Sequence, residues 1–179
     1  MPAISKIRFT NVIFENGGKR FNDDTFHFDG NNSAVLLENG GGKTVFVQTA
    51  LQAILPHYNS EERKIKDTLT LEEGPCHIAI EWILNERPRR YLVTAVSLFI
   101  TSNRLDSYKY VYEYDFQDKQ GIDDIPFAIE NRGGKRPASK KEIADYYQSM
   151  HSMNMNAKLF KTIKEYQEYI EKNYNIIPS

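Results

Sequence analysis

Ser33-Ala34-Val35-Leu36-Leu37-Glu38-Asn39-Gly40-Gly41-Gly42-Lys43-Thr44-Val45 is the stretch on which the reading of this chain turns. Its first five residues form a short apolar run, the pattern of a strand buried on both faces. Asn39 to Gly42 breaks that run. Lys43 to Leu55 then has few polar positions (Gln48, Thr49, Gln52) and stops before Pro56, as a helix buried on most sides does. Strand, glycine loop, Lys-Thr and helix, in that order, are what phosphate binding requires. Glycines let the backbone curl so that successive N–H groups point into one concavity. The following helix adds the positive end of its dipole. The Lys43 ammonium is suited to the β- and γ-phosphates, and the Thr44 hydroxyl to a magnesium ion. The expected site is therefore Asn39, Gly40, Gly41, Gly42, Lys43 and Thr44, with ATP and magnesium as ligands and Thr44 as the metal contact. Leu37 stands where the full G-x-x-x-x-G-K-[ST] pattern has its first glycine. Glu38 reads as a solvated loop residue.

Upstream, Ile4, Ile7, Phe9 and Val12 to Phe14 alternate roughly with polar residues, as in a half-buried strand. Asn16-Gly17-Gly18 reads as a turn, Thr25 to Phe28 as a short strand, and Asp29 to Asn32 as a second turn. Downstream, Asn59 to Lys66 is a charged loop. His77 to Leu84 and Tyr91 to Ile100 are strong strand candidates, joined through Asn85–Arg90 as a hairpin. Tyr108 to Tyr114 alternates aromatic and polar residues and reads as a third strand of that group. Asn131 to Pro137 reads as a basic loop. Ser139 with Glu142 and Thr162 with Glu165 form capping-box patterns that open two helices.

Composition narrows the classes. In 179 residues, 40% are hydrophobic and 26% charged, which is enough to bury a core in one domain or one domain with an appendage. Lys plus Arg (23) nearly balances Asp plus Glu (24), so a DNA contact would need a local patch rather than a global field. One cysteine, Cys76, excludes an internal disulfide and suits a reducing cytoplasm. No apolar run is long enough for a signal peptide or a membrane span.

The segment Asn39-Gly40-Gly41-Gly42-Lys43-Thr44 resembles the N-G-x-G-K-[ST] loop of the SMC-like ATPases, the chromosome-segregation and DNA-repair members of the ABC class. The surroundings agree: the chain opens with the strand "ISKIRFTNVIF", and the loop helix leads through a charged segment into "CHIAIEWILNERPRRYLVTAVSLFI". The likeness covers about the first two-thirds of the chain as an order of elements. It implies an α/β P-loop NTPase fold, an ABC/SMC-head-like N-terminal lobe with a mixed sheet, an antiparallel strand group and C-terminal helices. Residues 1–137 would be the P-loop ATPase lobe, and 138–179 a helical extension whose end reads as a cut. The family's signature motif and its acidic strand end, which holds magnesium and orients water, are missing here. The resemblance therefore implies a C-terminal head half as partner, a head–head dimer, DNA as substrate and no turnover by these residues alone.

Two other classes stay open: a self-contained P-loop kinase or GTPase, and a non-catalytic nucleotide-binding scaffold module. The absence of an N-K-x-D motif speaks against a GTPase, and that of an Arg-rich lid against a kinase. Gln117, Gln120 and Gln148 are candidates for the family's glutamine loop, each read more simply as an exposed polar residue. Lys19 and Arg20 are candidates for nucleotide contact. Arg63, Lys64 and Lys66, Arg87, Arg89 and Arg90, and Arg132, Lys135 and Arg136 are small basic clusters read first as solvated. His27, His57, His77 and His151 lack metal-ligand spacing. Trp82 and Tyr108, Tyr110, Tyr112 and Tyr114 are read as sheet packing.

Overall fold

A computed structural model describes residues 2–14, 19–28, 71, 74–115, 117, 121–153 and 156–176. The described elements are β1 (Ala3–Phe14), β2 (Lys19–His27), β3 (Cys76–Glu86), β4 (Arg89–Thr101), β5 (Arg104–Asp115), a 3-10 turn (Ile122–Asp124), β6 (Ala128–Asn131), β7 (Gly134–Pro137), α1 (Lys140–Met153), β8 (Lys158–Phe160) and α2 (Ile163–Tyr174). Six strands form one sheet in the order β2-β1-β3-β4-β5-β8, and β6 and β7 form a separate hairpin. Every described pairing is antiparallel. The protein is thus α/β with an antiparallel sheet among the described residues. The expected strand at Ser33–Leu37 lies outside them.

Alternation along β3, β4 and β5 divides the side chains between two cores. On one face Cys76, Ile78, Ile80 and Trp82 of β3 join Leu92, Val96 and Leu98 of β4 and Val111 of β5. Helix α2 closes that face with Tyr166 and Ile170. The Trp82 indole N–H donates to the Thr94 hydroxyl at 3.0 Å, so the largest core side chain has its polar atom satisfied. On the other face Ala79, Val93 and Ala95 lie beneath Phe127, Ala138 and Ile143, Tyr147 and Met150 of α1. Tyr110, Tyr112 and Tyr114 belong to this second core, with Tyr108 packed at its margin. Tyr110 stacks on Tyr147 at 4.3 Å between ring centroids. The tyrosine stripe is therefore core, as the sequence suggested.

Strand β1 departs from simple alternation at one residue. Phe9 and Val12 are three apart and would face opposite sides of a regular strand, yet both lie in the α2-face core. Asn11 between them has φ 55°, a left-handed backbone that Asn tolerates better than most residues. Its side-chain amide donates to the Pro75 carbonyl at 3.0 Å and to that of Gly74 at 3.4 Å. Asn11 also sits where the ladder to β3 ends at Thr10↔His77, whereas the ladder to β2 runs on to Phe14↔Lys19.

Both helix starts follow their sequence signals. The Glu142 N–H donates to the Ser139 hydroxyl at 3.2 Å, and the Ser139 N–H returns to the Glu142 carboxylate at 3.1 Å. Thr162 caps α2 by accepting from the Glu165 N–H at 3.4 Å. Two readings need correction. Asn131 to Pro137 is not a loop: Gly134–Pro137 pairs with Ala128–Asn131 as a hairpin, Ala128↔Pro137 to Asn131↔Gly134. Residues 138–179 are not purely helical, because Lys158–Phe160 adds an edge strand beside β5. Three residues are too few to show a period in sequence. No described helix is long and apolar enough to cross a membrane.

Asn11 provides a test of the face change. Asn11→Gly keeps access to positive φ but loses the amide bonds, whereas Asn11→Val loses both. We expect Asn11→Val to cost about 2–4 kcal/mol and Asn11→Gly about 1–2 kcal/mol in urea unfolding followed by Trp82 fluorescence. Equal losses would remove the backbone conformation from the explanation.

Candidate functional site

The predicted phosphate loop falls in sequence between two strands whose relation is described. Strands β2 and β3 each run antiparallel to β1, so they run parallel to one another with β1 between them. Parallel strands are joined by a crossover. Residues 28–75 are that connection, and they contain the glycine loop. Asn39, Gly40, Gly41, Gly42, Lys43 and Thr44 themselves lie outside the described residues, as do the strand and helix expected around them and Arg63, Lys64 and Lys66.

Both ends of the connection are described. At its start the Phe28 N–H donates to the Ser5 carbonyl at 2.8 Å. At its end Leu71 joins the α2-face core, and Gly74, with φ 109°, adopts a backbone that a side chain would strain. A Cβ on Gly74 would also lie 3.3 Å from Pro137 of the β6–β7 hairpin.

The two faces of the β1–β3 half of the sheet differ sharply. One is polar and occupied by residues 122–127. Arg8, 5% exposed, donates to both carboxylate oxygens of Asp23, at 2.9 and 3.2 Å, and to the Ile122 and Ile125 carbonyls, each at 2.8 Å. Its guanidinium lies over the Phe127 ring at 5.1 Å. Burial pushes the Asp23 carboxyl up, but the Arg8 and Thr10 hydrogen bonds outweigh it and hold the group below its ordinary value. Glu81 is raised by its burial, against the Ser5 hydroxyl at 2.8 Å and the charge of Lys6. Lys6 itself pairs with Asp123 at 2.8 Å. The opposite face presents Phe9, Val12, Ile78 and Ile80, all buried and apolar, in the same cluster as Leu71.

Beside Arg8 lies a buried chain of hydroxyls and imidazole. His77 Nε2 is 2.9 Å from the Ala138 carbonyl, and Nδ1 is 2.7 Å from the Ser97 hydroxyl, itself 3.1 Å from the Tyr147 hydroxyl. A carbonyl only accepts, so Nε2 carries the proton and Nδ1 accepts from Ser97. Ser97 then accepts from Tyr147. All three side chains are fully buried, and the His77 ring stacks on Phe127 at 5.0 Å. A serine beside a histidine is here a packing device: no substrate can reach the hydroxyl, and its proton is already committed.

The other sequence candidates are placed as follows. Cys76 is buried, and burial pushes its thiol up to about 12, far from the range of a nucleophile at neutral pH. Arg89 pairs with Glu86 at 3.1 Å and Arg90 with Glu113 at 3.5 Å, while Arg87 is exposed at the β3–β4 turn. Arg136 pairs with Glu142 at 2.6 Å. Gln117 and Gln148 are exposed, and Gln120 lies outside the described residues, as does the side chain of Lys19. Arg20 is exposed on β2. At the end of β5, Asp115 accepts the Gln117 N–H at 2.9 Å. Among the described residues no group of three or more His, Cys, Asp or Glu side chains could hold a metal. Sequence reading missed the Arg8 centre and the His77–Ser97–Tyr147 chain. Their members are scattered along the sequence from Arg8 to Tyr147, and no spacing links them.

The chain matches no protein-family model and no curated protein.

His77 gives the fold a pH dependence. Burial lowers its imidazole from 6.5 to about 4, so between those values the unfolded chain binds a proton that the folded protein does not. Stability must fall as pH drops through that window, by at most about 3 kcal/mol from this group. In urea melts from pH 7 to pH 4, His77→Gln should lose less stability on acidification than the unsubstituted protein. Identical pH slopes would show that His77 does not control this range.

Proposed function

We propose that this chain is an ATP-binding lobe of the SMC-like kind, with the glycine loop Asn39–Thr44 as its phosphate cradle. The observation that carries the reading is the coincidence of two independent features. The sequence holds a strand–glycine loop–Lys-Thr–helix order, and that order falls within a crossover between two parallel strands. A crossover of this kind is where a phosphate-binding strand–loop–helix unit is normally built. The apolar bed of Phe9, Val12, Ile78 and Ile80, which shares its cluster with Leu71, favours packing of the expected 43–55 helix there. The polar face is already taken by residues 122–127.

In this reading the loop amides and Lys43 hold the β- and γ-phosphates, and the Thr44 hydroxyl contacts magnesium. The chain acts with a C-terminal head half, in a head–head dimer, on DNA. It works in the cytoplasm, in keeping with a single buried thiol. Turnover needs more than this sequence supplies, since no signature motif and no acidic strand end are present. Water attack on a γ-phosphate requires a positioned nucleophile and charge neutralisation around it.

Magnesium-ATP should raise the melting temperature of the chain, because a ligand that binds only the folded state stabilises it by mass action. Lys43→Ala should abolish most of that shift. Thr44→Ala should weaken binding with magnesium more than binding without it. Equal shifts for Lys43→Ala and the unsubstituted protein would refute the loop assignment.

Phosphate release by the purified chain at saturating ATP should stay at background. Turnover at ordinary enzyme rates that Lys43→Ala abolishes would favour a self-contained P-loop enzyme instead.

A further inference from the structure

The β6–β7 hairpin is anchored in the core and open at its tip. At its base the Ala138 N–H donates to the Phe127 carbonyl at 2.7 Å, and both residues are fully buried. From Glu130 to Arg136 every residue is exposed. The turn residue Gly133 has φ 87°, and a Cβ at Gly133 or Gly134 would meet nothing within 4 Å. The arm therefore stands clear of the protein on a fixed base.

Its charges are unevenly compensated. Arg136 is held by Glu142 and Lys141 by Asp145 at 2.9 Å, while Lys140 lies 3.7 Å from Asp106 and over the Phe99 ring. Arg132 and Lys135, at the tip, form no ion pair among the described residues. Lys135 acts on Asp23 only at a distance, and Asp23 is already bound by Arg8. Arg104, exposed at the β4–β5 turn, is a further cation that forms no ion pair among the described residues. It lies on the same side: Thr101, its ladder partner, accepts from Lys140 at 3.4 Å. The sheet end that carries the hairpin thus presents Arg132, Lys135 and Arg104 toward solvent, in a protein whose net charge is -1.

We propose that this rim, with Arg132 and Lys135 at the hairpin tip, binds the phosphate backbone of duplex DNA. Cations left unpaired on a rigid projecting arm interact with phosphates through charge and counterion release. The tip, Asn131-Arg132-Gly133-Gly134-Lys135, contains no aromatic residue on which single-strand bases would stack. It also has no apolar side chain to enter a lipid surface. Two glycines leave the turn backbone bare, so the arm can approach a phosphate closely without a side chain intervening. The contact is sequence-independent, because nothing at the tip is placed to read base edges. It deepens the DNA-acting part of the proposed function but does not depend on the glycine loop.

Fluorescence anisotropy with a short DNA duplex, titrated over a salt series without nucleotide or magnesium, tests the proposal. The unsubstituted chain should bind at low salt. Arg132→Ala/Lys135→Ala should weaken binding roughly tenfold and lower the slope of log affinity against log salt by about 2. Arg87→Ala, an exposed cation at the opposite end of the sheet, should leave both unchanged, with thermal melting confirming that each variant is folded. Lys43→Ala should bind DNA like the unsubstituted chain, which separates this result from the nucleotide reading. No binding at the lowest salt, or the same loss in Arg87→Ala as in the tip variant, would overturn the proposal.

Discussion

A buried guanidinium sets the terms for the amino-terminal half of this protein. The Arg8 guanidinium is buried, so its donors must be met inside the fold or the strand cannot be buried. They are met from two directions, by Asp23 on the neighbouring strand and by the Ile122 and Ile125 carbonyls more than a hundred residues away. Those carbonyls belong to an irregular segment in which the Ile125 carbonyl also accepts the Phe127 N–H at 2.8 Å. One side chain thus fixes the β1–β2 register and seats residues 122–127 on the sheet. From there Phe127 reaches both Arg8 and His77, and Ala138 closes the His77–Ser97–Tyr147 chain. Loss of Arg8 would leave the Asp23 carboxylate with the Thr10 hydroxyl but no charged partner, and would take a donor from the Ile122 and Ile125 carbonyls.

The division of the sheet into a polar and an apolar face has a functional bearing. Residues 122–127 and α1 cover one side, while the apolar side of β1–β3 shares its cluster with Leu71 and with Tyr166 and Ile170 of α2. A P-loop unit placed there would have a rigid floor of Phe9, Ile78 and Ile80. Its exit, at Gly74 and Pro75, is tied by Asn11 and touches the base of the basic hairpin at Pro137. The proposed nucleotide segment and the proposed DNA contact would then share a short mechanical link.

Much of this was legible in the sequence, for identifiable reasons. The runs His77–Leu84, Tyr91–Ile100 and Tyr108–Tyr114 marked β3, β4 and β5, because β-branched and aromatic residues bounded by turn signals read as strands. Ser139 and Thr162 marked helix starts because a cap is a local interaction between residues three apart. The hairpin at Ala128–Pro137 was hidden because its strands carry Glu130, Lys135 and Arg136 and bury almost nothing. Strand β8 was hidden by its length, and β2 was read too short because Asn22, Asp23 and Asp24 disfavour strands in isolation. At Asp23 the tertiary partner Arg8 overrides that preference. The glycine loop was the clearest local signal in the chain, and it is the part for which the fold supplies a setting rather than a geometry.

The strand order also bears on how the chain reaches this state. Strands β3, β4 and β5 form a meander in which every pairing closes over a turn of two residues. Strand β1 can join it only by pairing with β3 across about seventy intervening positions, Thr10 with His77 and Ala3 with Ile83. Closing so long a loop carries an entropic penalty that local hairpins avoid, and it slows the step that needs it. The meander is therefore the natural nucleus, and docking of the β1–β2 pair is the late event. Anything that holds the connection between β2 and β3 in its folded arrangement, a bound ligand included, would act on that late step and on its reversal, the first opening of the sheet.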